Sequence, residues 1–231
     1  AGNTRAVAEF FSNFGSAYSI RINDIPPSRG YGDPIQRLCR FRDGEHIVAA
    51  VSLDARVTPA IAAPKGNGDE PPRHAVAVNT SGYGLRFSLE PFAEVSTKAG
   101  RKFARVREGE EIAGVEVIDG SEILCCARRG GKALLCNVRD INFLSGPGRG
   151  VKVIGVAPGD RMLGFATTTH KHKGLVVLSA GGRALQITPA RYRVTNRGGR
   201  GFALTKRSGL TDVVAPEPEA PAVGGKNGNG N

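Results

Sequence analysis

The feature that most constrains this chain is a pattern recurring four times over its 231 residues. Each occurrence is an apolar run, a glycine turn and a second, alternating run. They span residues 10–25 turning near Gly15, 75–92 at Gly82, 123–141 at Gly130-Gly131 and 175–192 at Gly181-Gly182. A basic glycine loop follows each hairpin: Ser28-Arg29-Gly30-Tyr31-Gly32, Lys98-Ala99-Gly100-Arg101-Lys102, Gly148-Arg149-Gly150-Val151-Lys152 and Asn196-Arg197-Gly198-Gly199-Arg200-Gly201. An acidic turn comes next in three units, at Asp43-Gly44-Glu45, Glu108-Gly109-Glu110 and Pro158-Gly159-Asp160, with Ser208-Gly209 in the corresponding place of the fourth. Equivalent glycines lie roughly 48 to 52 residues apart, except across a longer first interval. Such a period belongs to blades or solenoid units, none able to bury its apolar face alone.

Helix signals are weak, because few windows keep a helical apolar period without an intervening glycine or proline. Strand signals are stronger: Ala17-Tyr18-Ser19-Ile20-Arg21-Ile22 and Leu85-Arg86-Phe87-Ser88-Leu89 alternate apolar and polar residues as half-buried strands do. Each unit reads as a hairpin, a basic loop, a third strand such as residues 151–156, an acidic turn and a fourth strand such as 161–167. The expected fold is all-β and propeller-like, with about four four-stranded blades. Residues 1–214 form one domain, with units near 7–51, 75–119, 121–169 and 174–214. Residues 52–74, rich in Pro, Ala, Gly and Asp, are expected to be an exposed insertion, and 215–231 a disordered tail.

The net charge of +11 and the pI near 10.0 owe much to arginine in the glycine loops. That balance favours a polyanionic partner, nucleic acid first. No run is apolar for long enough to span a bilayer and no signal-peptide pattern opens the chain, so a soluble, cytoplasmic protein is expected. The four cysteines form no C-x-x-C pair, which argues against a zinc ribbon or a thioredoxin-type centre. Cys126 and Cys136 could meet across a hairpin, but reduced, buried thiols are the expected state. His170-Lys171-His172-Lys173 would present both imidazoles on one face of a strand, yet reads better as a solvated loop than as a metal site. The carboxylates Glu108, Glu110, Glu111, Asp119 and Glu122 read as solubilising turn residues, and no nucleophile–base constellation emerges.

The residues also resemble a known family. Phe10-Phe11-Ser12-Asn13-Phe14-Gly15-Ser16-Ala17-Tyr18-Ser19-Ile20, then Asp24-Ile25-Pro26 and Gly30-Tyr31-Gly32-Asp33-Pro34-Ile35, look like a blade opening in the C-terminal domain of the A subunit of bacterial type IIA topoisomerases. Thr195-Asn196-Arg197-Gly198-Gly199-Arg200-Gly201 is similar to the seven-residue gyrase box, Gln-Arg-Arg-Gly-Gly-Lys-Gly. Thr195 and Asn196 depart from it, and the match lies in the last unit instead of the first. Those departures favour topoisomerase IV over gyrase and leave room for a unit with a full box before Ala1. The resemblance implies a β-pinwheel whose blades exchange a strand with their neighbours and whose basic rim bends double-stranded DNA. It implies a bacterial, nucleoid-associated holoenzyme using ATP and Mg²⁺. Its breakage–reunion domain would precede this segment in the same polypeptide, and its ATPase would lie on the B subunit. No catalytic, metal or cofactor site is expected in the segment itself.

On that reading the rim contacts are Arg29, Lys98, Arg101, Lys102, Arg149, Lys152, Arg197 and Arg200. Gly198, Gly199 and Gly201 shape the last loop so that backbone N–H groups can approach phosphate. Arg128, Arg129, Lys132, Arg191 and Arg193 are second choices. Two rival readings make different demands. A propeller binding protein would use a disc face or channel, and an enzyme on phosphorylated substrates would need convergent acid–base groups.

Overall fold

The computed structural model describes residues 4–54, 74–205 and 209–215. Most of the interval expected to be an insertion, Ser208 of the fourth turn, and the tail beyond Ala215 lie outside the described residues. The two ends of that interval are strand: Ser52 closes one, and His74, fully buried, opens the next.

The first unit holds β1 (Val7–Ser12), β2 (Ser16–Arg21) and β3 (Ile47–Ser52). The second holds β4 (His74–Asn79), β5 (Tyr83–Ser88), β6 (Arg101–Lys102) and β7 (Ile112–Ile118). The third holds β8 (Ile123–Arg128), β9 (Lys132–Asn137), β10 (Phe143–Leu144), β11 (Val151–Lys152) and β12 (Met162–Thr168). The fourth holds β13 (Leu175–Ser179), β14 (Ala184–Ile187), β15 (Phe202–Ala203) and β16 (Leu210–Val213). All four hairpins turn at the expected glycines, with Gly15, Gly82, Gly131 and Gly182 at positive φ.

In the last three units the expected third strand is a two-residue piece belonging to the preceding unit's sheet. The sheets run β3-β1-β2-β6, β10-β5-β4-β7 with β11 also on β5, β12-β8-β9-β15, and β14-β13-β16. Thus β6 pairs with β2, β11 with β5 and β15 with β9, each beside the turn of the hairpin that receives it. The turn carbonyl completes every exchange by accepting two N–H groups. Gly15 O takes Phe103 N at 3.0 Å and Ala104 N at 3.2 Å; Gly82 O takes Val153 N at 2.8 Å and Ile154 N at 3.3 Å. Gly131 O takes Leu204 N at 2.9 Å and Thr205 N at 3.4 Å. Among the described residues, β14 receives no such strand.

Between consecutive units the opposed sheet faces form the core. Side chains alternate across a strand, so an inner blade must be apolar on both sides. In β4, Ala75 and Ala77 join Phe11, Ala17, Phe87 and Phe103 on one side, while Val76 and Val78 join Leu124, Cys126, Leu134 and Cys136 on the other. Cys125, Ala127, Ala133 and Leu135 then pack on Leu175, Val177 and Ile187 of the fourth unit. The alternation expected at residues 85–89 therefore does not mark a wet face. Arg86 is buried, and its Nε donates to the Ile141 carbonyl at 2.7 Å. The four cysteines are free and buried. Cys126 and Cys136 are each paired with a leucine across the hairpin, not with one another.

Exchange explains one glycine in particular. Gly150 has φ +78°, and a Cβ there would collide with the Gly84 carbonyl oxygen. Gly159 has nearly the same φ, +76°, but nothing within 4 Å of such a Cβ. Gly159→Ala should cost only the left-handed penalty, about 1–2 kcal/mol. Gly150→Ala adds a backbone collision and should cost about 3 kcal/mol or more. Urea unfolding of the two variants reads the difference; equal losses would mean that the exchange is not needed for stability.

Candidate nucleic-acid interface

In the last three units the basic glycine loop is the segment that crosses to the neighbouring sheet, so the fold fixes where its cations sit. Lys102 and Lys152 are the second residues of β6 and β11, and both are exposed. Lys102 Nζ donates to the Phe14 carbonyl at 2.7 Å, on the first hairpin turn. Lys98 is exposed, with its Nζ 3.1 Å from the Arg37 carbonyl. Arg200 is exposed beside the last exchanged strand. Arg129, Arg191 and Arg193 are exposed too, and Lys132 is half-buried.

Other expected contacts are committed inside the molecule. Arg101 braces its own loop, donating to the carbonyls of Pro91 at 2.6 Å and Glu94 at 3.1 Å. Arg149 bonds Glu110 Oε1 at 2.5 Å and lies 3.6 Å above the Tyr83 ring, in a cation–π stack. Arg197 donates to the Asp140 carbonyl at 2.6 Å and the Lys152 carbonyl at 3.3 Å. Arg128 is buried against Asp160. The last loop's glycines serve the exchange: the Gly198 N–H donates to the Val153 carbonyl at 2.7 Å, and the Gly199 carbonyl accepts Gly155 N at 2.8 Å. Gly201 (φ +72°) leads directly into β15. The Gly198 N–H is therefore committed to the exchange.

The first unit is built differently. Arg29 is exposed in a loop where Ser28 Oγ accepts the N–H groups of Gly30 at 3.0 Å and Gly32 at 3.1 Å. The segment equivalent to the other crossing loops comes later in the chain. Arg40 N bonds the Lys98 carbonyl as Arg105 N bonds that of Gly148 and Gly155 N that of Gly199. That register puts a single 3-10 turn, Ile35–Arg37, where the other units have exchanged strands. Leu38 and Cys39 pack on Tyr18 and Ile20 of their own unit.

Four hairpins in one order, joined by exchanged strands and carrying basic loops, make a distinctive arrangement. A sequence profile of the family described as DNA gyrase C-terminal domain, beta-propeller, matches residues 10–54, 74–119, 129–169 and 175–202. The chain belongs to this family.

Among curated relatives it is 24% identical over 218 residues to the DNA gyrase A protein of Staphylococcus epidermidis, covering 90% of this chain and 23% of that protein. It is 22% identical over 205 residues to the DNA gyrase A protein of Aminobacterium colombiense, covering 88% of this chain and 23% of that one. The chain thus spans about a quarter of the length of these relatives. Among solved structures, the C-terminal domain of DNA topoisomerase IV superposes with a TM-score of 0.78 at 18% identity, covering 93% of this chain and 65% of that one. The E. coli ParC C-terminal domain gives 0.69 at 20% identity, covering 94% and 84%. The DNA gyrase A C-terminal domain gives 0.64 at 20%, covering 93% and 67%. At these identities the structural likeness is one of fold. The chain is therefore a C-terminal β-pinwheel domain of the kind found in the A subunits of type IIA topoisomerases.

Within this gyrase-type domain the acidic turns are structural, not merely solubilising. Glu45 is buried and accepts bonds from Ser12 Oγ at 2.6 Å, Tyr18 OH at 2.9 Å and Arg42 N at 3.0 Å. Glu110 accepts from Asn79 Nδ2 at 3.1 Å and Arg107 N at 3.2 Å as well as from Arg149, and Asp160 accepts from Gly130 N at 2.9 Å and from Arg128. Each carboxylate ties the end of its unit to the unit's own hairpin. Burial pushes the pKa values of Glu45 and Glu110 up. Hydrogen bonds outweigh it, from Arg42 N, Ser12 and Tyr18 to the first and from Arg149, Arg107 N and Ser81 to the second, leaving both low. Glu116 goes the other way. Burial raises its pKa although Thr167, in the next unit, donates to it through its hydroxyl at 2.6 Å and its N–H at 2.8 Å.

A depressed carboxylate adds stability that is complete above its unfolded pKa and is lost as pH falls through the folded one. Glu45 and Glu110 should therefore stabilise the domain at neutral pH and stop doing so on acidification below about 4.5, their ordinary value. Glu116, with a raised pKa, contributes a change of opposite sign. Urea midpoints should fall between about pH 5 and pH 3. A Glu45→Gln/Glu110→Gln variant should start lower at neutral pH and fall less. A variant that keeps the full acid dependence would show that other groups set it.

Proposed function

We propose that this domain binds duplex DNA along its basic loops and bends it, so that a type IIA topoisomerase can select and orient the segment to be transported. The observation carrying this reading is the register of the exchange. The same fold position in consecutive units, the second residue of β6 and of β11, holds an exposed lysine, Lys102 and then Lys152. Exposed Lys98 and Arg200 flank crossing strands in the same way. Cations repeated at unit spacing suit a stiff polyanion better than a small ligand. Bending 20–30 base pairs costs on the order of 1–6 kcal/mol, which several such contacts can share. Affinity would come from phosphate neutralisation and counterion release, without base readout.

In this reading the rest of the A subunit supplies the breakage–reunion domain and the B subunit the ATPase, with ATP and Mg²⁺ used there. Curated relatives carry the gyrase name, while the degenerate box of the fourth unit favours topoisomerase IV. A nicked-plasmid ligation assay would separate the two by the hand of wrapping.

The first test is duplex binding by this chain across a salt series. Log affinity should fall linearly with log salt and depend little on sequence. Lys152→Ala/Arg200→Ala should weaken binding and flatten the slope by about one unit per cation removed. Arg149→Ala should act mainly on stability, costing about 1–3 kcal/mol by leaving Glu110 without its cation. Absent or salt-insensitive binding would overturn the rim reading and redirect attention to a protein-binding face.

A further inference from the structure

We propose that Arg42, Lys102 and Arg105 form a phosphate clamp at the junction of the first and second units, gripping the sugar–phosphate backbone of duplex DNA. The proposal rests on the DNA-binding reading above. It adds two residues outside the glycine loops and says which junction holds the backbone most directly.

The first hairpin turn is where Arg42 and Lys102 meet. Lys102 reaches it by bonding the Phe14 carbonyl, and the Arg42 guanidinium stacks 4.8 Å from the centre of the Phe14 ring. Among the described residues, the one carboxylate contact on this trio is loose: Arg42 Nε lies 3.6 Å from Glu45, and the arginine side chain stays 61% exposed. Glu45 is already saturated by Ser12, Tyr18 and the Arg42 N–H. Among the described residues neither Lys102 nor Arg105 is paired with a carboxylate. Burial lowers the Lys102 pKa, and repulsion from Arg42 lowers it further against the pull of Glu45. Two cations held at one turn with a single, committed carboxylate favour a bound anion, and a phosphodiester oxygen would relieve their repulsion.

Lys102 and Arg105 also line one open groove, together with Ala104, Val106 and Pro147. Its lining holds no carboxylate. The corresponding groove at the next junction differs in each respect. It is lined by Arg149, already neutralised by Glu110, by Lys152 and by Asp160. Gly155 stands there in the register of Arg105. The groove at the last loop holds Arg197, whose guanidinium is spent on two backbone carbonyls. Of these three junctions, the first alone has a groove lined by two cations and no carboxylate. Planar Arg42 and Arg105 can each take a phosphate in bidentate fashion, and Lys102, which shares the turn with the first and the groove with the second, adds a point charge.

The test is binding of the full 231-residue chain to a fluorescently labelled duplex across a salt series, read by anisotropy. Arg42→Ala/Arg105→Ala should flatten the log–log slope by about two units. Lys171→Ala/Lys173→Ala, which removes equal charge from an exposed loop between the third and fourth units, should leave the slope unchanged. Should the double variant melt early, Arg105→Ala alone answers the question, because its side chain is exposed and should lower the slope by about one unit. A wild-type slope in these variants, or an equal fall in the Lys171/Lys173 control, would overturn the clamp while leaving DNA binding intact. Failure of the unaltered chain to bind duplex would overturn the parent reading, and the clamp with it.

Discussion

The structure depends on a carbonyl oxygen at the tip of each of the first three hairpins. At Gly15, Gly82 and Gly131 that oxygen accepts two N–H groups from the following unit, and a two-residue strand is laid against the hairpin edge beside it. Buried backbone groups must be satisfied, so neither neighbour is complete alone. The exchange fixes how far apart successive units stand, which sheet faces oppose one another and where the basic loops emerge. The apolar layers, rich in small residues such as Ala75, Ala77, Ala127 and Ala133, fit the close approach that these bonds impose.

Much of this was legible in the sequence. Periodicity located the hairpins and their turns because a tight turn with positive φ leaves a glycine behind. The basic loops were visible for the same reason. The destination of each loop was invisible to local pattern, since a two-residue strand such as Val151–Lys152 is too short to show a period. Strand exchange entered only through the family resemblance. The first unit misled because Gly30 and Gly32 look like the other crossing loops, whereas the hydrogen-bond register assigns that role to the turn at Ile35–Arg37.

The candidate interface was harder to read than the fold. Composition gives charge but not the partners that consume it. Arg149 and Lys152 stand three residues apart in one loop and both face the Tyr83 ring, yet the first is neutralised and the second exposed, because only the first is bonded to Glu110. Arg42 does not stand out by charge alone, since it lies outside the glycine loops. A signal exists nonetheless: Arg42-Asp43-Gly44-Glu45 recurs as Arg107-Glu108-Gly109-Glu110. In both, the arginine N–H bonds the glutamate at the end, so the repeat marks a built corner.

Exchange also has a mechanical consequence. Lys102 and Lys152 sit on strands that are antiparallel to the hairpin edge receiving them, while their chain continues into the next unit. A pull on either lysine along its strand loads the ladder bonds and the turn-carbonyl bonds together, in shear, where a pull on a free loop would peel contacts away one at a time. The load divides between two blades and cannot be released by either one yielding alone. A rim assembled this way resists the recoil of whatever stiff polymer is bent against it.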